Sequence, residues 1–387
     1  MGLRGGLAGV LDTFGPDYLA QHRLNAGQAK AWRAIMACRT AALGGQVESC
    51  TTCHATRYVY HSCRNRHCPQ CQTRAKEAWI AARRRELLPV PYFHLVFTLP
   101  HALHGLVGQH PRLIYELLFG AVSATLTEFA ANPRWLGGIP AFTLVLHTWK
   151  QDLGRHVHMH ALVVGGALGP TGNWVSAKRG FLFPVKALSK AFRGKFIAAL
   201  QALRENGKSG EIALDPSSWQ TLLAQLYAHD WVVYAKAPLG GPTQVLEYLG
   251  RYTHRVAISN ERIVRIDANG VAFRVRSNGE GGKKRTLHLP GPEFIRRFFL
   301  HVLPSGFKRI RHYGLLGPAR KVPHLAAARV ALDVPPPQAA VIESVAAFMA
   351  RVSRIEWDRC PQCLTGHFVV VQAILPARVA RNERGPP

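Results

Sequence analysis

The sequence predicts an α+β fold in which helices flank a largely antiparallel central sheet. Strand and helix candidates follow one another without the regular alternation that a doubly wound parallel sheet requires. Two pairs of strand candidates are joined by short turns, one near residues 152–154 and one at Asn269-Gly270. Short turns of this kind are typical of antiparallel hairpins.

Each element is predicted from its hydrophobic pattern and from the residues at its ends. Apolar positions three and four apart predict helices at residues 25–42, 72–88, 112–129, 185–203, 218–228 and 293–302. Short apolar runs rich in β-branched and aromatic residues predict strands at residues 92–99, 142–149, 155–165, 231–236, 256–258, 262–266, 271–276 and 285–289. A further helix opens at Pro242, because proline suits a first helical turn, and runs to about His254. The Gly-rich residues 2–15 predict no element.

Length and charge restrict the class of protein. At about 100–200 residues per domain, 387 residues predict two or three domains. The 49 Lys and Arg residues exceed the 22 Asp and Glu residues by 27, which favours nucleic acid or an anionic membrane surface as partner. No apolar run approaches the roughly 18–20 residues of a membrane span, and no signal-peptide core follows Met1. We expect a cytoplasmic protein that binds nucleic acid and does not enter a membrane.

The cysteines are clustered in the chain. They comprise the isolated Cys38, the group Cys50, Cys53, Cys63, Cys68 and Cys71, and the pair Cys360 and Cys363. In a reducing compartment such clustering predicts metal binding. The pairs Cys50-x2-Cys53 and Cys68-x2-Cys71 predict one structural zinc site, because two CxxC knuckles supply a closed tetrahedral shell of four thiolates.

The remaining cysteines leave alternatives open. Cys63 and His67 lie between the two knuckles and either contribute to a second or alternative shell or pack beneath the site. The pair Cys360 and Cys363 is half a zinc site, which His367 and one more ligand would close. A dimer contact or a turn without metal would explain this pair equally well.

Three alternating histidines predict a second metal site. His156, His158 and His160 share one face of a strand, where neighbours in the series are about 6.6–7 Å apart and the outer two about 13 Å apart. At most two adjacent imidazoles can therefore bind one ion. Two histidines leave positions open for water and a phosphate oxygen, which suits a catalytic Mg²⁺ or Mn²⁺.

Two tyrosines one helical turn apart supply candidate nucleophiles. Tyr248 and Tyr252 project from one helix face, and Arg251 and Arg255 form a parallel basic stripe suited to DNA phosphates. A tyrosine that attacks a phosphodiester forms a phosphotyrosine and frees a 3′ hydroxyl, so religation needs no ATP. Packing is the ordinary role of such a pair, but the nearby histidines and the basic charge favour catalysis.

These features together resemble the HUH superfamily, in which two histidines flank a hydrophobic residue. Their order, a zinc module followed by the histidine strand and a Tyr-x3-Tyr helix, resembles the two-tyrosine transposases of the Insertion Sequence 91 family. Similar strings are SCRNRHCPQCQ at 62–72, LHTWKQDLGRHVHMHALV at 146–163, YLGRYTHRVAISNERI at 248–263 and LPSGFKRIRHYGLL at 303–316. The resemblance covers residues 11–316, which is most of the chain.

The resemblance implies an HUH-type antiparallel sheet behind a small zinc-binding domain. By it, His158 and His160 hold the catalytic metal, with His156 accessory, and Tyr248 and Tyr252 are the nucleophiles. The cysteines of the two knuckles match the family's zinc domain. The implied activity is rolling-circle transposition, in which the enzyme nicks and rejoins single-stranded DNA at element ends through a 5′-phosphotyrosine.

The third ligand of the catalytic metal is left open, with Gln244, Gln151 and Asp152 as candidates. We expect three regions along the chain. They are a helical, Cys-rich zinc domain at 1–88, a nuclease domain at 89–320, and a Pro-containing linker and tail at 321–387.

Basic and aromatic residues near the end of the nuclease region predict a groove that tracks a DNA strand. They are Arg296, Arg297, Lys308, Arg309, Arg311 and Arg320, interleaved with Phe307 and Tyr313. An ordinary solvated basic face is the alternative.

Two rival functions remain at this point. One is a replication initiator or relaxase of the same chemistry, and the other is a zinc protein that binds DNA without cleaving it. We expect the protein to act at the nucleoid, and the sequence leaves open whether it forms a homo-oligomer.

Overall fold

The computed structural model describes most of the chain. The described residues are 5–178, 180–205, 214–239, 244–245, 250, 256–276, 283–337, 347, 350–351 and 356–377. The helices are α1 (Gly6–Gln21), α2 (Ala26–Ala37), α3 (Gln72–Arg84), α4 (His104–Gln109), α5 (Pro111–Ala131), α6 (Val185–Glu205), α7 (Pro216–Ala228), α8 (Gly291–Phe299) and α9 (Lys321–Ala331). The strands are β1 (Gly45–Cys50), β2 (Thr56–Tyr60), β3 (Tyr92–Thr98), β4 (Ile139–Trp149), β5 (Arg155–Leu168), β6 (Trp174–Ser176), β7 (Val233–Leu239), β8 (Ile263–Asp267), β9 (Gly270–Arg276), β10 (Lys284–Leu289), β11 (Ile310–Gly314) and β12 (Phe368–Ile374).

A six-stranded antiparallel sheet forms the centre of the molecule. Its strand order is β11-β4-β5-β3-β7, and the short strand β6 pairs with β5. This arrangement confirms the predicted α+β class with flanking helices. Strands β4 and β5 are the longest and lie side by side in the middle, so their alternating side chains cover both faces of the sheet.

The two faces of β5 bury different kinds of residue. Val157, Met159 and Ala161 belong to the largest hydrophobic cluster, which packs the sheet against α5, α6 and α7. The alternate residues, beginning with His156, lie on the opposite face, which we call the histidine face. There Leu162 and further apolar residues pack against α9 and Trp79 of α3.

Helix α5 has the composition of a membrane span. Among the described helices it alone is long and apolar enough to cross a bilayer, so the expectation that no apolar run approaches that length is wrong. Its position explains the composition, because Ile114, Leu118 and Val122 are completely buried in the main core. A core helix of a globular protein passes the same test of length and hydropathy.

A second core joins the amino-terminal helices to the β8-β9-β10 sheet and α8. Its first element, α1, occupies the segment whose glycines argued against a helix. Leu7, Val10, Leu11 and Phe14 recur at helical spacing and are all buried in this core. Tertiary packing therefore overrides the low helix propensity of the intervening glycines.

A third sheet has the order β12-β1-β2 and joins the two ends of the chain. Strand β12 runs antiparallel to β1 and pairs with it over its whole length, from Gly45 opposite Ile374 to Cys50 opposite Phe368. The sequence placed this segment in a separate tail after a Pro-rich linker. The long-range pairing of β12 was not visible in local patterns.

Most predicted elements are present, with ends shifted by a few residues. The helix predicted from Pro242 to His254 lies outside the described residues, except that Gln244, Val245 and Gly250 are helical. The hairpin at Asn269-Gly270 is present as β8 and β9. Elements β11, α9 and β12 are among those that were not predicted.

The contact between α1 and α8 is tested at Gly291. A Cβ at this position would overlap the Phe14 ring, so we expect Gly291→Ala to destabilise the protein by about 1–3 kcal/mol and to lower its Tm. Gly120→Ala in α5 is the matched control, because an added Cβ there meets no atom within 4 Å and should stabilise the helix by up to about 1 kcal/mol. Equal thermal denaturation curves for the two variants would contradict this packing.

Candidate functional site

Three histidines converge on the histidine face at the centre of the sheet. His147 of β4 lies directly opposite His158 of β5, and His160 follows two residues later on the same face. The candidate ligand nitrogens of the three side chains all lie within 4.8 Å of one another. His147 is 2% exposed. Its ring stacks on the ring of Trp149 with centroids 4.7 Å apart, and this contact restricts the orientation of the imidazole.

Neighbouring groups select which ring nitrogen each histidine offers. His158 Nδ1 lies 2.8 Å from the His156 carbonyl oxygen, and because a carbonyl only accepts, Nδ1 donates and Nε2 keeps its lone pair. His160 Nδ1 lies 2.8 Å from Nε2 of His94 on β3, which leaves His160 Nε2 for the cluster. A metal-binding imidazole is held by its second nitrogen in the same manner.

His94 itself is a buried neutral side chain. Burial, together with the nearby charges of Lys236 and His158, lowers the pKa of His94 to about 4. Its ring stacks on His160 with centroids 5.1 Å apart. The neutral ring can therefore hold His160 in place without adding a repelling charge beside a bound cation.

The structure brings together two of the three histidines of the predicted site and adds one that the sequence argument missed. His158 and His160 are members of the cluster, while His156 packs beside His158 with ring centroids 4.8 Å apart and is not a member. The third member is His147, and Asp152 is not a member of the cluster. The sequence held one indication of this role, because His147 is a polar residue in a mostly apolar strand next to the strand that carries His158 and His160.

The residues that the sequence offered as a third ligand lie in two parts of the chain. Asp152 lies in the β4–β5 turn, where its carboxylate accepts from the Gly154 amide at 2.8 Å. Gln151 lies in the same turn, and Gln244 is an exposed helical residue. Tyr248 and Tyr252 lie outside the described residues, as do Arg251 and Arg255.

The cysteines form two clusters rather than one. The first consists of Cys38, Cys63, Cys68 and Cys71, and the second of Cys50, Cys53, Cys360 and Cys363; within each, the sulfurs lie within 4.8 Å of one another. The prediction of a single site built from both amino-terminal knuckles is therefore wrong. Each knuckle supplies half of a different cluster, because the β1–β2 hairpin carries the first knuckle away from the second.

The first cluster is built where three segments meet. Cys38 caps the end of α2, Cys71 caps the start of α3, and Cys63 and Cys68 come from the loop between β2 and α3. The Cys71 sulfur lies 3.3 Å from that of Cys38 and 3.5 Å from that of Cys63. Hydrogen bonds from Cys38 and then Cys63 lower the pKa of Cys71, which favours its thiolate. Four thiols so placed suit a structural zinc ion.

His67 lies outside both clusters. Burial, with the nearby charge of Arg66, lowers the pKa of His67 to about 3, so it is a neutral packed side chain. Cys63 is a member of the first cluster, whereas the sequence left its role open. Cys38, which stood alone in sequence, completes that cluster because α2 ends beside the loop.

Of the arginines predicted to bind DNA, one is buried and another is paired with a carboxylate of the protein. Arg309 is 8% exposed, and burial lowers its pKa to about 10. Arg311 donates both terminal nitrogens to the Glu116 carboxylate, at 2.6 and 2.7 Å, and lies over the Phe119 ring. Phe307 is also buried in the main core, so it is not an exposed stacking platform. Arg309, Arg311 and Phe307 therefore do not form the predicted groove for a DNA strand.

A basic cleft of about 460 Å³ opens at the β4–β5 turn. Its lining residues are His101, His104, Lys150, Asp152, Gly154, Arg155, Arg296, Arg297 and Leu300. The buried Nε2 of His104 has no hydrogen-bond partner among the described residues. Burial and the surrounding positive charges, His101 first among them, lower the pKa of His104 to about 4.

Comparison with known proteins identifies the family. Residues 141–323 match a family model described as "Putative transposase", and residues 10–99 match one described as "Transposase zinc-binding domain". The chain is 42% identical to "Putative transposase y4qJ" of Sinorhizobium fredii (strain NBRC 101917 / NGR234), over 95% of this chain and 94% of that protein. It is 26% identical to "Transposase for insertion sequence element IS801" of Pseudomonas savastanoi pv. phaseolicola, over 73% of this chain and 68% of that protein. No solved structure gives a significant match.

The fold and the paired domains define a DNA transposase with an amino-terminal zinc-binding domain. The chain belongs to the Insertion Sequence 91 family of transposases. The resemblance seen in the sequence is thereby confirmed, and DNA is the partner that this class of enzyme implies.

The first cysteine cluster is tested at Cys38, the ligand most distant in sequence from the others. We expect Cys38→Ser to lower the zinc content by one ion per chain and the Tm by at least about 5 °C, because Cys38 and Cys68 are both buried in the second core. Elemental analysis and thermal denaturation measure the two effects. Ser62→Ala, at an exposed neighbour of Cys63, is the control and should keep the zinc. Unchanged zinc in Cys38→Ser would remove Cys38 from the site.

Proposed function

We propose that this transposase nicks and rejoins single-stranded DNA at the ends of its element through a 5′-phosphotyrosine intermediate, in a rolling-circle mode. The observation that carries the proposal is the convergence of His147, His158 and His160 at the centre of the sheet. Three protein ligands leave coordination positions for water and a phosphate oxygen, as a catalytic site requires. A structural site would instead be closed by protein groups, as the cysteine clusters are.

The donor set fits a divalent cation, and Mn²⁺ better than Mg²⁺, because imidazole nitrogen is a softer ligand than the oxygens that Mg²⁺ prefers. A bound ion of this kind supplies Lewis-acid polarisation of the scissile phosphate. His94 holds the ring of His160, and the His156 carbonyl holds that of His158, so both Nε2 atoms stay directed at one point.

The nucleophile is proposed to be Tyr248 or Tyr252. The described residues of this segment support the assignment, because Val245 packs with Leu162 on the histidine face and Tyr248 follows three residues later in sequence. Gly250 lies against Ile80 of α3, on the same side of the sheet. The tyrosine oxygen bonds to phosphorus as the bond to the 3′ oxygen breaks, the tyrosine loses its proton, and the departing oxygen gains one.

The basic cleft is proposed to hold the DNA backbone next to the scissile phosphate. It lies beside the accessory histidine, because burial and then the nearby charges of His101 and Lys150, two residues that line the cleft, lower the pKa of His156. Lys150, Arg155, Arg296 and Arg297 line the cleft, and their charge attracts a phosphate backbone, although the arginines also donate to the His104 carbonyl and to Glu293. The site of action that follows is the nucleoid, in the cytoplasm.

The metal assignment predicts different effects for two neighbouring histidines. We expect His147→Ala to weaken Mn²⁺ binding at least about 10-fold, because it removes a ligand, whereas His156→Ala should bind Mn²⁺ nearly as well as the wild type. Isothermal titration calorimetry on zinc-loaded protein measures both variants. The assignment of His147 fails if His147→Ala binds Mn²⁺ with wild-type affinity.

The nucleophile assignment is tested by trapping the covalent product. A 3′-labelled single-stranded oligonucleotide carrying an element end should become attached to the protein with Mn²⁺, and Tyr248→Phe with Tyr252→Phe should abolish the adduct while DNA binding persists. Tyr234→Phe is the matched control, because Tyr234 is an exposed tyrosine of β7, the edge strand of the same sheet. Adduct formation at the wild-type rate by the double variant would show that another group attacks.

A further inference from the structure

The second cysteine cluster draws its members from both ends of the chain. Cys50 and Cys53 lie at the β1–β2 hairpin, while Cys360 and Cys363 lie just before β12. The matched zinc-domain model ends at residue 99 and the other model ends at residue 323, so the second pair lies beyond both. Pairing of β12 with β1 places the two knuckles side by side.

The sulfur positions fit a tetrahedral metal site. The sulfurs of Cys50 and Cys363 are 3.7 Å apart, and those of Cys53 and Cys360 are 3.6 Å apart. A zinc ion with Zn–S bonds of about 2.3 Å places its sulfurs about 3.8 Å apart along each edge of the tetrahedron. A disulfide would require about 2.05 Å. The separations are therefore those of four thiolates around one ion.

In each knuckle one backbone amide donates to a cysteine sulfur. The Thr52 amide donates to the Cys50 sulfur at 3.4 Å, and the Gly366 amide donates to the Cys363 sulfur at 3.3 Å. Amide donors of this kind stabilise the charge of a thiolate. A side chain at Gly366 would overlap the Cys50 sulfur and Thr52, so the close approach of the two knuckles requires glycine at this position.

A second contact joins the β1–β2 hairpin to the C-terminal segment. The Arg57 guanidinium of β2 lies over the rings of Trp357 and Phe368, at 4.7 and 3.9 Å from their centroids. The same guanidinium forms an ion pair with the Glu48 carboxylate of β1, with nitrogen and oxygen 2.6 Å apart, and Glu48 is 5% exposed. Arg57 thus links the C-terminal segment to the zinc domain.

We infer that Cys50, Cys53, Cys360 and Cys363 bind a second structural zinc ion, which makes residues 356–377 part of the amino-terminal zinc domain. The chain then carries two zinc ions with separate ligand sets. The first site is complete within residues 38–71, whereas the second closes only after the C-terminal segment has been synthesised. This inference does not depend on the proposed nicking chemistry, because both sites are closed by protein ligands.

Zinc stoichiometry of the full-length protein tests the inference. Native mass spectrometry should find two zinc ions per wild-type chain and one in Cys360→Ser/Cys363→Ser. His367→Ala is the matched control and should retain two, because the exposed His367 ring pairs with Asp358 and is not a member of the cluster. One ion in the wild type, or two in the double variant, would overturn the inference.

Alkylation of cysteines gives a second readout on the wild-type protein, which does not require the variant to fold. During titration with a chelator, Cys50, Cys53, Cys360 and Cys363 should become reactive together, as a group separate from the other four. Reactivity of Cys360 and Cys363 in the fully zinc-loaded protein, with Cys50 and Cys53 protected, would contradict a shared ion. Disulfides found among these four under reducing conditions would contradict it as well.

Discussion

The antiparallel pairing of β4 with β5 is the constraint on which the rest of the structure depends. Its register places His147 opposite His158, and the alternation of side chains sends the intervening apolar residues into the main core. A slip of one residue would exchange the two faces, burying the histidines under α5 and exposing Met159. The stability of the core and the geometry of the candidate metal site are thus fixed by the same hydrogen-bonded ladder.

The structure contains two kinds of candidate metal-ligand cluster. The three histidines lie together on a sheet face, and His94 holds His160 from the neighbouring strand. The two groups of four cysteines offer closed shells, which contribute stability where secondary structure alone is sparse. Cys38 and Cys68 belong to a hydrophobic core that also contains Trp149, the residue that stacks on His147. The second core therefore connects the zinc-binding region to the end of the strand that carries His147.

Several arginines of this basic protein are engaged by other groups of the protein itself. Arg57, Arg66 and Arg311 are held by carboxylates, backbone carbonyls or aromatic rings of the protein itself. The arginines of the cleft at the β4–β5 turn have protein partners as well, Arg155 in the His104 carbonyl and Arg296 and Arg297 in Glu293. Sequence analysis treats each cation as equally available to DNA, because the carboxylates and carbonyls that engage arginines come from distant parts of the chain. Glu116, which engages Arg311, is 195 residues away from it.

The sequence by itself determined the fold class, the family, the strand that bears His158 and His160, and the ligand types of both kinds of metal site. These properties follow from local periodicity, short spacings and residue chemistry. The tertiary structure decided which ligands share a site. His147 joins the cluster through strand pairing, Cys38 joins through the end of α2, and Cys360 joins through the long-range pairing of β12 with β1. Each of these depends on contacts between residues far apart in the chain, which local patterns do not encode.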